Sequence, residues 1–302
     1  MAAPTSVVLD GPEESVGLRR PRTGAATAFA RAYARDRQAL VGAAIALLFV
    51  ALAALAPIVS PHDPLKAEGS ERLAPPLTPG FLLGTDEQGR DILSRIIWGG
   101  RVSLAVGILP TAVAGALALL LGLMAGYHEG WLDQVIMRVL DVFFALPMVL
   151  LAIAIVGFIG PGAINQMFAL AVVLVPYSTR VVRTATISMK QAEFVEAARA
   201  VGVGHGRLLL RHLLPNVIPP LLVYTTTLVG MMIVAAAGLS FLGLGVQPPT
   251  PDWGVMVGNG RLVLYRAAHV ATIPGIVIVV VALAFNFIGE GLREALNPRS
   301  RR

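Results

Sequence analysis

The chain has 302 residues, 56% hydrophobic and only 14% charged, against about 45–50% and about 25% in a typical soluble domain. Its 24 basic and 18 acidic residues are too few to coat a soluble protein of this size, which excludes an ordinary soluble enzyme and indicates an integral membrane protein. There is no cysteine, so disulfide frameworks, thiolate metal sites and cysteine nucleophiles are excluded.

Stretches free of Asp, Glu, Lys and Arg map the membrane, because each such charge costs several kcal/mol in lipid. In chain order they are Gln38–Pro61, Val102–His128, Val142–Thr179, His212–Pro251 and Ala267–Gly289. Val142–Thr179 is 38 residues, too long for one span, and the run Gly157-Phe158-Ile159-Gly160-Pro161-Gly162 divides it. With about 20 apolar residues per span, the expectation is an all-α polytopic protein with six helices at 39–59, 103–126, 134–157, 164–184, 220–243 and 268–289. Residues 1–37 read as a largely disordered N-terminal tail, 38–101 as the first span and an external segment, 102–292 as a core of five spans, and 293–302 as a C-terminal tail. The first apolar segment is too long for a signal-peptide core of about 7–15 residues and follows an Arg-rich stretch, so it is expected to remain as a span.

Arginine placement orients the bundle. Of the 24 basic residues, 17 fall in the N-terminal tail, near Arg138, in the segment around 180–211 and at the C-terminus, whereas loop 60–101 balances five basic against six acidic residues. The positive-inside rule then puts both termini in the cytoplasm. The two Lys, at 66 and 190, do not follow a Gly, so no phosphate-cradling loop is present and any nucleotide hydrolysis belongs to another polypeptide. No zinc-protease motif, His cluster or nucleophile elbow is found, and no catalytic residue, cofactor or metal site is expected. Asp141 is the one clear carboxylate within a predicted span, which argues against proton coupling.

The chemistry concentrates in loop 187–215. Residues 187–201 are strong helix formers, Gly202-Val203-Gly204-His205-Gly206 breaks the helix, and a second short helix over 207–214 is predicted to end at Pro215. Small residues at 197, 198 and 202 suit docking into a partner's groove, while the composition equally suits a basic loop beside anionic lipid. Elsewhere, Arg138 and Asp141 lie three apart and share a helix face, as a structural ion pair or a gating pair. The segment carrying Gly84, Thr85, Asp86, Gly89, Arg90 and Asp91 is turn-rich and charged: it either caps the external mouth or packs on its own spans. Asp252 and Trp253 follow a Pro-rich run and either meet a binding protein or anchor at lipid headgroups. Gly122-x3-Gly126 permits close helix contact.

Glu196-Ala197-Ala198, then Gly202, then Leu214-Pro215 resembles the E-A-A-x3-G-x9-I-x-L-P loop of ABC importer permeases, departing where His212 stands in place of Ile. Four further segments, Pro61–Pro64, Leu83–Arg95, Arg138–Pro147 and Phe241–Gly254, resemble the C-type permeases of the dipeptide, oligopeptide and nickel importers. The resemblance runs from about residue 38 to the end. It implies a type I ABC permease fold, multi-pass in a bacterial inner membrane. The implied partners are a homologous B-type permease, two ABC ATPases docked on loop 187–215 through Glu196, Ala197, Ala198, Gly202, His212, Leu214 and Pro215, and an extracytoplasmic solute-binding protein. Membrane lipid surrounds the spans and no nucleic acid is involved. The implied cargo is a di- or oligopeptide, with nickel, glutathione or another small solute as the alternative and an ion-coupled secondary transporter as the rival mechanism.

Overall fold

The computed structural model describes residues 25–67 and 72–296. Its helices are α1 (Ala25–Arg35), α2 (Arg37–Ala54), α3 (Ala56–Val59), α4 (Ile92–His128), α5 (Gly130–Phe143), α6 (Met148–Ile159), α7 (Ala163–Lys190), α8 (Glu193–Ala200), α9 (His205–Leu208), α10 (Leu214–Phe241), α11 (Trp253–Gly260) and α12 (His269–Leu296). No strand occurs among the described residues. Part of the expected irregular tail is helix α1, and α12 runs past the expected start of the C-terminal tail; residues 1–24 and 297–302 lie outside the described residues.

Five helices are long and apolar enough to cross a membrane: α2, α4, α7, the α9–α10 unit and α12. Taken as one broken span, α5 with α6, bent by 80°, makes a sixth candidate crossing. This corrects the straight third span over 134–157. Pro147 offers no N–H to a preceding turn and disfavours helical backbone at Leu146, so the helix stops after Phe143 and restarts at Met148. The first crossing has a milder break at Leu55, where Pro57 sits in the first turn of α3.

The helix starts are local decisions. Asp36 accepts from the backbone N–H groups of Gln38 and Ala39 at the head of α2, and Asp91 from those of Leu93 and Ser94 at the head of α4. Each satisfies donors that have no intrahelical acceptor. Packing between crossings uses small residues, as lipid supplies no hydrophobic drive between helices. A Cβ added at Gly122 would lie 2.6 Å from Cβ of Val182, and one at Gly126 would lie 2.7 Å from Cβ of Thr186, so α4 and α7 approach closely through these two glycines.

The short helix α11 packs into the bundle against α12, α10 and α4. Trp253 is 0% exposed and packs with Ile92, Ile96, Leu104, Val229, Ile233 and Met256. Its indole N–H donates to Ile96 O at 3.0 Å, which satisfies the one polar atom a buried Trp brings with it. Phe49 meets its ring edge-on at 5.8 Å.

Candidate functional site

The connection between α7 and α10 begins one turn later than its helix-former run predicts. α7 continues to Lys190, the chain turns at Gln191-Ala192, and α8 follows. α8 then ends in a defined cap. Gly202 takes φ +79°, Val203 N–H donates to Ala198 O at 3.1 Å and Gly202 N–H donates to Arg199 O at 2.9 Å. This paired closure requires left-handed backbone at residue 202, where a side chain is strained. Open space surrounds the position a Cβ would occupy at Gly202, so its glycine answers to conformation rather than to close approach within this chain.

Pro215 does not end the following helix, contrary to the sequence expectation. α9 leads into a π turn over Leu209–Leu213 and directly into α10, with Pro215 in the first turn of α10. The wider turn accommodates a residue that has no N–H to give to the preceding turn.

The loop has an apolar underside and a mixed outer face. Val195, Ala198, Leu208 and Leu213 are buried against Tyr127 at the end of α4. Glu196, Ala197, Gly202 and Pro215 are exposed, while His212 and Leu214 are half-buried. Around them the surface shows Phe194, Val201 at 81% exposure and Leu210 at 63%. Large apolar side chains at such exposure, ringed by Glu193, Arg199, Arg207 and Arg211, form a surface suited to a protein partner.

Two contacts tie the loop to α4. Tyr127 Oη lies 2.5 Å from His205 Nδ1. Lys190 Nζ donates to Tyr127 O and to Glu129 Oε1, both at 2.9 Å. Sequence reasoning missed Tyr127, Lys190 and His205, because their partners stand 61 to 78 positions away. A local motif carries no trace of such pairing.

At the opposite end of the bundle, the candidates for an external mouth turn inward. Thr85, Asp86, Arg90 and Asp91 are buried, as are Gly84 and Gly89. Asp86 accepts from the backbone of Gln88 and Arg90 and from Arg90 Nε at 2.7 Å, and it also faces Arg95. Asp91 caps α4 and contacts His62. Burial, with Asp86 beside it, holds the Glu87 carboxyl above its ordinary range. The segment is thus an ordered plug fixed to its own helices, and these side chains are not available to an outside protein. Asp252 and Trp253 are corrected in the same way. Asp252 accepts from Ser103 Oγ at 2.7 Å and from Val255 N–H at 3.0 Å, capping α11 from the interior. Neither residue reaches the surface where a binding protein or a lipid headgroup lies.

The expected ion pair is also reassigned. Asp141 pairs with Arg180 of α7 at 2.6 Å, not with Arg138. Arg180 Cζ lies over the Phe144 ring, 3.8 Å from its centroid, which draws the guanidinium to this side of α5. One helical turn nearer the loop, Arg183 grips Asp133 with two hydrogen bonds of 2.5 Å.

Candidate membrane-crossing helices thus surround a bent helix pair, and a structured loop offers an apolar face at one end. Residues 118–302 match the family described as binding-protein-dependent transport system inner membrane component, and residues 28–76 match the N-terminal TM domain of oligopeptide transport permease C. The chain is 42% identical over 271 residues to the glutathione transport system permease protein GsiD of Pectobacterium atrosepticum, covering 90% of each chain. It is 43% identical over 276 residues to the di/tripeptide transport system permease protein DppC of Pseudomonas aeruginosa, covering 90% of this chain and 91% of the relative. The fold is similar to a chain of the MetNI methionine ABC transporter, with a TM-score of 0.56 at 18% identity over 67% of this chain and 97% of that one. The chain belongs to the binding-protein-dependent transport family and is a membrane-spanning permease subunit of an ABC importer.

Proposed function

We propose that this subunit forms half of a pathway for di- or oligopeptides and takes its energy from ATPases docked on loop 187–215. A homologous B-type permease supplies the other half, two ATPases bind from the cytoplasm, and an extracytoplasmic binding protein delivers solute. Both termini face the cytoplasm. ATP closes the ATPase pair, the loop moves as a lever and the crossings reorient. The chain itself performs no bond chemistry.

One observation carries the docking assignment. The loop that resembles the E-A-A motif exposes Ala197, Val201 and Gly202 while its underside is locked to Tyr127. It can therefore meet a partner and transmit that partner's movement to α4. Peptide cargo is supported by relatives of which one is named for di- and tripeptides and another for glutathione, itself a tripeptide. The test is reconstitution with the cognate ATPases, second permease and binding protein in proteoliposomes. Dipeptide uptake driven by enclosed ATP and absent without the ATPases is expected; uptake by this chain alone overturns the reading.

A further inference from the structure

Charge gathers at the ends of the third and fourth crossings, where the charge-free run Val142–Thr179 begins and ends. On α7, Arg180 is the first residue beyond that run. Arg138 and Asp141 occupy α5 opposite it, three residues apart. Ionised groups at the edge of an apolar span turn to water or pair with one another rather than face lipid. Together with Asp133, Gln134, Met137, Arg183 and Thr184 they wall a cleft of about 490 Å³.

Counting partners in this cleft leaves one guanidinium over. Asp133 is occupied by the two-point grip of Arg183. Asp141 receives Arg180 through one hydrogen bond, and both side chains remain nearly half exposed. Arg180 is held by Phe144, which Tyr177 buttresses at 4.7 Å between centroids. Arg138 is exposed and makes no ion pair among the described residues. Three arginines thus face two aspartates around one opening.

We propose that this cleft is a solute-binding station in the translocation pathway, in which Arg138 receives the carboxylate of a zwitterionic peptide. A guanidinium presents paired donors that match a carboxylate. Asp141, one turn along the same helix face and half exposed, suits the solute's ammonium group. The proposal rests on the permease reading above and adds where the solute pauses and which of its groups is held.

The absence of cysteine gives a direct test. In the assembled importer, Gln134→Cys places a thiol in the cleft one turn from Arg138. Its labelling by anionic methanethiosulfonate-ethylsulfonate is compared with that by the cationic trimethylammonium analogue. The anionic-to-cationic rate ratio is expected to fall about fivefold when Arg138→Gln is added, the effect of one unit charge in water-like surroundings. Millimolar Ala-Ala is expected to slow labelling, its C-terminal amide is not, and Arg138→Gln is expected to abolish the protection. No labelling by either reagent, equal protection by acid and amide, or protection unchanged in Arg138→Gln overturns the proposal. If Arg138→Gln fails to assemble with the second permease while Arg138→Lys assembles, Arg138 serves the subunit contact and the proposal also falls. None of these outcomes alters whether uptake needs the ATPases, so the station and the importer reading fail separately.

Discussion

Tyr127 and His205, 78 positions apart, meet at 2.5 Å and join the end of α4 to the start of the α9–α10 unit. The contact lies at the edge of an apolar cluster that includes Val195 and Ala198 of α8. Loop 187–215 is therefore seated on the end of α4 rather than merely strung between two helices. Tyr127→Phe keeps the ring in the cluster and removes the hydroxyl. A hydrogen bond of this kind contributes about 0.5–1.5 kcal/mol. Uptake per ATP hydrolysed is expected to fall by up to about tenfold, with ATPase association unchanged; uptake and hydrolysis falling in the same proportion would show that the contact does not transmit movement.

Gly202 separates conformation from docking. Its φ of +79° makes Gly202→Ala cost about 1–2 kcal/mol of local backbone energy, whereas Gly202→Asn is tolerated better because Asn visits this region. Gly202→Glu adds a charge on the exposed face presented to the ATPase. Expected is near-wild-type uptake for Asn, partial loss for Ala, and loss of ATPase copurification for Glu with normal membrane insertion. Retention of both copurification and uptake in Gly202→Glu refutes the docking assignment.

Asp252 sets a pH dependence of stability. Burial holds its carboxyl above the ordinary range, although Ser103 and Val255 donate to it. The folded state then binds more protons than the unfolded state between the ordinary and the raised value. Stability is expected to fall as pH rises through that window. Asp252→Asn keeps a capping oxygen for Val255 and is expected to flatten the profile. Thermal unfolding of the purified protein across acidic to neutral pH measures this; a wild-type profile that rises through the window contradicts the assignment.

Asp141 tests the mode of energy coupling. With both side chains exposed, its pairing with Arg180 is worth no more than about 1 kcal/mol. Asp141→Asn is therefore expected to fold and assemble. Uptake at constant ATP is expected to persist when the proton gradient is collapsed, in wild type and variant alike. Loss of a proton-dependent component in the variant alone would make the carboxylate a coupling site and favour a secondary transporter.

Orientation is checked by two further thiols. Ala67→Cys lies in the exposed segment after α3, and Ser300→Cys near the C-terminus. A membrane-impermeant maleimide on intact cells is expected to label the first and miss the second. The reverse pattern would invert the topology.

Much of this protein is written locally. The charge-free runs mark where the candidate crossings lie because a charge in lipid is costly wherever it sits in the chain, and Asp36 and Asp91 start helices with donors only two or three residues away. The E-A-A segment is legible for the same reason: the α8 cap uses only Ala198, Arg199, Gly202 and Val203. Tertiary structure decided the rest. Composition does not distinguish an apolar surface facing lipid from one facing protein, so Trp253 reads as interfacial although α11 carries it into the core. Helix periodicity offers Arg138 to Asp141, yet the partner is Arg180, 39 positions on and held in place by Phe144 beside the Pro147 bend. Partners so distant in sequence are selected by how helices rotate and bend against one another, and that is fixed only when their small-residue faces close.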